Sequence, residues 1–269
     1  NNWQLACSEY DVAPTNNVVI TNGSAYSPYT APTGNSVAYC WNLTNTAISG
    51  CEFISDTGTA PTARTVNHNL GRVPQMIWAY NIGEPAANQV WVYHSAIGPG
   101  GALNLGEANQ SDNRDSFWGG NPAQFTTTTF GVGTDPAINS PDGMYYWLWS
   151  EIPGYSAFGS YTGNGSSNGP FIYTGFRPAF VMTKRASAAE DWSIVNTTTS
   201  PNNTAFQNLR PNETNGEGGG IGVNDIDILS NGFKLRNSTD RFNGTGTYIY
   251  ACFAENPFGG ENVSPVTAR

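Results

Sequence analysis

The chain has 269 residues, enough for one large domain or two of ordinary size, and carries a formal charge of −9 from 20 acidic and 11 basic side chains. With lysine only at Lys184 and Lys234, it has no basic patch to neutralise phosphates, which argues against nucleic acid as a partner. No run approaches the roughly eighteen apolar residues of a membrane-crossing helix, so no membrane span is expected. Aromatics at 13%, charged residues at only 12% and 31 glycines favour an all-β chain of short strands and tight turns. Opening on Asn1 with no basic-then-apolar leader, the chain is expected to have lost its true start by processing or trimming.

In chain order, the first expected strands are Val18-Val19-Ile20 and Val37-Ala38-Tyr39-Cys40-Trp41, the second leading on to Cys51–Gly58. His68-Asn69-Leu70-Gly71 reads as a turn. After Gly71-Arg72-Val73-Pro74 comes a strand in which Met76, Trp78 and Tyr80 share one face and Ile77 and Ala79 the other. Trp91-Val92-Tyr93 and Phe130-Gly131-Val132 follow as strands, with the loop Ser116-Phe117-Trp118-Gly119-Gly120 between them. Tyr145, Trp147 and Trp149 lie opposite Met144, Tyr146 and Leu148, as expected for a central strand covered on both faces.

The same order then recurs. Pro178-Ala179-Phe180-Val181-Met182 follows Gly175-Phe176-Arg177 as Pro74 and its strand follow Gly71, and the two prolines stand 104 residues apart. Trp91 aligns with Trp192, Phe130 with Phe233, Leu148 with Cys252 and Trp149 with Phe253. Both copies close on Glu-x-Pro, at Glu151-Ile152-Pro153 and Glu255-Asn256-Pro257. This predicts two tandem β-sandwich or jelly-roll-like repeats of about 104 residues, at 59–158 and 159–260, with a short tail at 261–269. The closing element appears a third time before residue 58, with Cys40 at the position of Leu148 and Cys252. Residues 1–58 are therefore expected to be the second half of a unit without its first half. Trp78, Trp91, Trp149, Trp192, Phe253, Leu148, Cys252 and Cys40 are the expected core.

The stretches Phe158-Gly159-Ser160-Tyr161-Thr162-Gly163-Asn164-Gly165-Ser166, Gly169-Pro170-Phe171-Ile172-Tyr173-Thr174-Gly175-Phe176-Arg177-Pro178, Asp227-Ile228-Leu229-Ser230-Asn231-Gly232-Phe233 and Gly246-Thr247-Tyr248-Ile249-Tyr250-Ala251-Cys252-Phe253-Ala254-Glu255 carry a resemblance. They resemble a repeat domain of tail-fibre and other structural proteins of aquatic bacteriophages. That resemblance implies a virion or extracellular location, a fibre or surface role, and no defined catalytic residues, cofactor or ligand.

The residues themselves offer little chemistry. The imidazoles, His68 and His94, sit in a turn and at a strand end, without the patterns of a hydrolase elbow or zinc helix, so no catalytic residue and no cofactor is assigned. Asp112, Asn113 and Asp115, or Asp225 and Asp227, have oxygen donors but not the spacing of a calcium loop, and read as solvated loop carboxylates. Cys40 and Cys252 read as buried thiols, whereas Cys7 and Cys51 leave a disulfide open. Trp118, with Asp112 and Asp115 nearby, is the candidate contact for a host glycan or receptor, packing within its own domain being the plainer alternative. The half-unit's strands, Val18, Val19, Ile20, Tyr39 and Trp41, would be left uncovered if the chain stood alone. Two arrangements would cover them: packing onto the first full unit of the same chain, or assembly with copies of itself as a homo-oligomer or filament, the latter being the one expected.

Overall fold

A computed structural model describes residues 3–9, 17–20, 37–42, 50–82, 90–213, 218 and 225–255, with Trp41 the one side chain described before residue 50. The chain is all-β, and every strand pair among the described residues is antiparallel. Strands β1 (Trp3–Glu9), β2 (Asn17–Ile20) and β3 (Val37–Asn42) form a sheet of order β2-β1-β3. Next come β4 (Cys51–Asp56), β5 (Arg64–Asn67), β6 (Met76–Asn81), β7 (Val90–His94), β8 (Gly101–Asn104), β9 (Asp112–Asn113), β10 (Thr129–Val132) and β11 (Met144–Trp149). They make a large sheet, β4-β11-β6-β7-β8-β9, and a small one, β10-β5. The remaining strands are β12 (Ser156–Gly163), β13 (Phe171–Tyr173), β14 (Pro178–Arg185), β15 (Ser193–Asn196), β16 (Ile226–Leu229), β17 (Gly232–Leu235) and β18 (Gly246–Ala254). They make the sheets β12-β18-β14-β15 and β13-β17-β16.

The two halves share one strand order, since β4-β11-β6-β7 corresponds to β12-β18-β14-β15 and β5-β10 to β13-β17. Register agrees as well: Leu148 pairs with Ile77 and Glu52 on its two sides, and Cys252 with Val181 and Ala157. Even the polar pinning repeats. Asn139 and Asn243, both 0% exposed and 104 residues apart, each accept a backbone N–H through Oδ1 (from Thr59 and Asn164). Each donates through Nδ2 to loop carbonyls, of Thr62 and Gly133 in one case and of Ser166 and Asn237 in the other. A buried amide that satisfies several loop groups at once is costly to remove, because each group would be left without a partner.

Three details of the sequence reading are corrected. The boundaries move, because β4 pairs with the first unit's β11 and β12 with the second unit's β18; the first unit thus starts near residue 50 rather than 59, and the second near 156 rather than 159. The tryptophan pairing slips by one: Val92 lies opposite Trp78 and Ile194 opposite Met182, so Val92 matches Ile194, and Trp91 and Trp192 point to opposite faces. A one-residue slip in a strand exchanges its faces. Finally, β2-β1-β3 has the order of β7-β6-β11, so the N-terminal sheet supplies a hairpin and a closing strand, not the second half of a unit.

Each unit is a sandwich. Ile77, Ala79, Tyr146 and Leu148 of the large sheet pack against Val66, Phe130 and Val132 of the small one. Val181, Val195, Tyr248 and Cys252 pack likewise against Ile172, Ile228, Phe233 and Leu235. The other faces of the large sheets meet in a shared core that includes Met76, Trp78, Trp147, Trp149, Phe180, Met182, Trp192, Phe253 and Trp41. Trp41, Trp149 and Phe253 occupy matched places at the ends of β3, β11 and β18. The Trp41 ring lies edge-on to both others, with centroids 5.4 Å from Trp149 and 5.6 Å from Phe253. Trp41 is thereby covered within its own chain, which corrects the expectation that it awaits a neighbour. Val18, Val19, Ile20, Tyr39 and Cys40 lie on described strands, while their side chains lie outside the described residues.

Polar contacts lock the two units side by side. Trp192 Nε1 donates to the Asn104 carbonyl at 2.8 Å, Ser111 N to Ala186 O at 3.0 Å and Glu190 N to Ala108 O at 2.7 Å. The buried Lys184 ammonium donates to the carbonyls of Ala108 and Arg185; burial pulls its pKa down to about 8, against the pull of Glu190 and Asp191.

Two stability tests follow. Cys252 is a buried free thiol flanked by Ala157 and Val181 where Leu148 has Glu52 and Ile77, so Cys252→Leu is expected to change stability by only about 1 kcal/mol. Trp41→Ala empties the shared core and is expected to cost about 3–5 kcal/mol. Urea denaturation of the two variants beside the parent chain measures both.

Candidate functional site

The expected contact at Trp118 does not form a surface. Asp115–Trp118 is a single helical turn, α1, ended by Gly119 in the left-handed region at φ 76°, and it turns Phe117 and Trp118 inward. Trp118 is 0% exposed and packs edge-on to Tyr93 at 5.7 Å, so no sugar ring can stack on it. Gly133 makes this possible, because a Cβ there would stand 2.0 Å from the Ser116 carbonyl oxygen. Asp112 is paired with Arg114 at 3.1 Å, and Arg114 itself lies over the Trp91 and Phe117 rings. Asp115 is exposed beside Gly120. Of the three residues, the fold leaves two solvated carboxylates and a core tryptophan.

Both imidazoles have structural surroundings. His68 Nδ1 accepts from Leu70 N, next to a turn in which the buried Glu52 carboxylate accepts from both Asn69 N and Asn69 Nδ2. Burial lowers the His68 pKa. His94 is 1% exposed; its Nδ1 accepts from Ala96 N at 3.2 Å, which leaves Nε2 to donate to Tyr250 O of the other unit at 3.0 Å. That arrangement fits the neutral ring, and burial lowers its pKa to about 4.

Among the described residues, the exposed large aromatics, Phe171 and Tyr173, lie on the second unit's small sheet. Strand β13 alternates exposed, buried and exposed, so Ile172 enters the core while Phe171 and Tyr173 stand outward at 44% and 56% exposure. Across the strands, Phe171 pairs with Lys234 and Tyr173 with Gly232, so no side chain opposes the tyrosine. Lys234 Nζ donates to Gly169 O at 2.7 Å, and Asp227, opposite Lys234 on β16, holds Arg236 at 2.5 Å. Two rings spaced one residue apart on a rigid strand, bordered by ammonium, guanidinium and carboxylate groups, form an amphipathic platform. Such a platform suits a ligand with an apolar face and polar edges. In the first unit Val66 takes the place of Ile172, so the matched outward residues are Thr65 and Asn67, both polar and exposed. The platform belongs to the second unit alone.

A family model described as a domain of unknown function (DUF7483) matches residues 42–257, most of the chain. The chain belongs to the DUF7483 family. The matched range spans β4 to β18 and so takes in both units as one domain. No curated protein and no solved structure matches the chain.

Because the His94 pKa is depressed in the fold, its contribution is complete above the unfolded value of about 6.5 and is lost as pH falls from there toward 4. Acidification across that window is expected to cost on the order of 3 kcal/mol through this ring. In His94→Asn, which has no proton to take up there, the stability measured by urea denaturation should fall less steeply between pH 6.5 and 4.5.

Proposed function

We propose that this member of the family is a non-enzymatic structural subunit of a phage fibre, virion or extracellular filament, joined to neighbouring copies through strand or sheet-edge contacts. The observation that carries the reading is the division of the aromatic surface. Among the described residues most of it is committed to cores that fuse the sheets into one body, while β13 keeps an edge with no partner strand among them and two outward rings. The tandem organisation and the resemblance to phage fibre repeats agree with it, and both imidazoles are engaged in holding turns and joining units. Electron microscopy of the native material is the test: fibres or regularly assembled particles are expected, and compact single particles at every concentration would overturn the proposal.

A second reading, a receptor- or carbohydrate-binding module, is favoured by Phe171 and Tyr173 and no longer by Trp118. Replacing both rings by alanine should leave stability within about 0.5 kcal/mol, since both are exposed. The same change should abolish binding on a glycan array. An absence of binding by the parent chain to glycans and host surfaces removes this reading.

A further inference from the structure

Both units close on Glu-x-Pro, and the two glutamates have different surroundings. In the second unit Glu255 Oε2 accepts from Arg177 Nε at 2.9 Å, while Arg177 Nη1 donates to Ile228 O on β16, also at 2.9 Å. One guanidinium thus ties the end of the closing strand to the third strand of the small sheet. The first unit lacks both ends of that bridge. Val73, which precedes Pro74 as Arg177 precedes Pro178, stands in the place of the arginine, and the small sheet has no counterpart of β16 among the described residues.

What remains at this end of the first unit is a hollow of about 320 Å³ lined by Arg72, Val73, Gln75, Glu151 and Pro153. Val73 is 37% exposed, a large apolar side chain open to water. Glu151 is exposed and enters no ion pair among the described residues, and neither does Arg72. The wall formed by Gln75 is fixed, since its N–H donates to Trp149 O at 2.7 Å and its Oε1 accepts from Ser95 Oγ at 2.6 Å.

We propose that this hollow receives an arginine side chain of a partner protein, whose guanidinium takes at Glu151 the place that Arg177 takes at Glu255. The second unit is the template, because there the same closing glutamate already holds a guanidinium. A guanidinium meets a carboxylate with directional N–H bonds, and its aliphatic stem can cover the apolar surface of Val73 and Pro153. Arg72 offsets the charge of Glu151, so a bare ammonium gains little from the site as a whole. The planar fork of donors is what distinguishes arginine from lysine there.

The test is an NMR titration of the full chain with Nα-acetylarginine amide, read at the side-chain carboxyl carbons of Glu151 and Glu255 and at the Val73 methyls. A saturable shift is expected at Glu151 and Val73, with Glu255 unmoved because its guanidinium is already supplied within the chain. Nα-acetyllysine amide should bind at least ~10-fold more weakly. Glu151→Gln, read at the Val73 methyls, should weaken arginine binding at least ~10-fold. Val73→Arg, read at Glu151, should do the same while leaving the carboxylate in place, by filling the hollow from within. Either variant replaces an exposed side chain, so the remaining amide spectrum should stay that of the parent. Absence of a saturable shift at Glu151, an equal response at Glu255, equal binding of the lysine compound, or undiminished binding in Val73→Arg would each overturn the proposal.

Discussion

The closing strands are buried on both faces, and the rest of the architecture answers to that demand. Along β11, Met144, Tyr146 and Leu148 face one core while Trp147 and Trp149 face another; along β18, Tyr248, Cys252 and Ala254 face one while Ile249, Ala251 and Phe253 face the other. Such a strand needs a hydrogen-bonded neighbour on each edge and an apolar layer above and below it. The small sheet of each unit provides one layer. The other comes from the large sheets of the other units, whose inner faces have the same requirement. Burying a large aromatic contributes about 1.5–3 kcal/mol relative to exposure, so a face carrying Trp78, Trp147 and Trp149 cannot stay open to water without a substantial loss.

The links between sheets turn this packing into a cooperative whole. Only six residues separate β11, the closing strand of the first unit, from β12, the opening strand of the second, although the two strands belong to different large sheets. Trp192 bonding to Asn104 O and His94 bonding to Tyr250 O tie the units further through side chains that are themselves core residues. Opening this interface would take the Asn104 and Tyr250 carbonyls from Trp192 and His94 and the Ala108 carbonyl from the Lys184 ammonium, a cost added to that of separating two apolar faces.

Much of this was legible in the sequence, and the failures have physical causes. Two-residue alternation placed Met76 and Trp78 on one face and Ile77 on the other, and the two-faced apolar run around Trp149 marked a central strand, because both signals depend on side-chain direction alone. Trp91 and Trp192 were matched by identity, and identity does not record face; the neighbours Val92 and Ile194 carry the true register. Trp118 takes the plainer of its two readings, packing within its own domain; a four-residue helix has no periodicity to show in advance which way it turns. Phe171 and Tyr173 have no sequence signal of their own, because a three-residue strand shows one alternation only. The signal that would have found them was the comparison of copies, which sets Phe171 and Tyr173 against Thr65 and Asn67. Asn139 and Asn243 were likewise lost among many asparagines, although their spacing of 104 marks them as equivalent.

The two copies have diverged in what they add to the common frame, and the additions separate mechanical from displayed surface. The first unit extends its large sheet by β8 and β9, and the backbone there, at Asn104, Ala108 and Ser111, bonds to the second unit. The outward residues of its small sheet stay polar. The second unit receives those contacts through Lys184, Ala186, Glu190 and Trp192, extends its small sheet by β16 instead, and carries the outward aromatic pair on β13, at the opposite edge of that sheet. A third strand braces β17, and β17 in turn holds β13, so Phe171 and Tyr173 stand on a sheet rather than on a loop. Rings fixed on a braced strand lose little conformational freedom when a partner docks, and that makes this face, among the described residues, the best prepared for recognition.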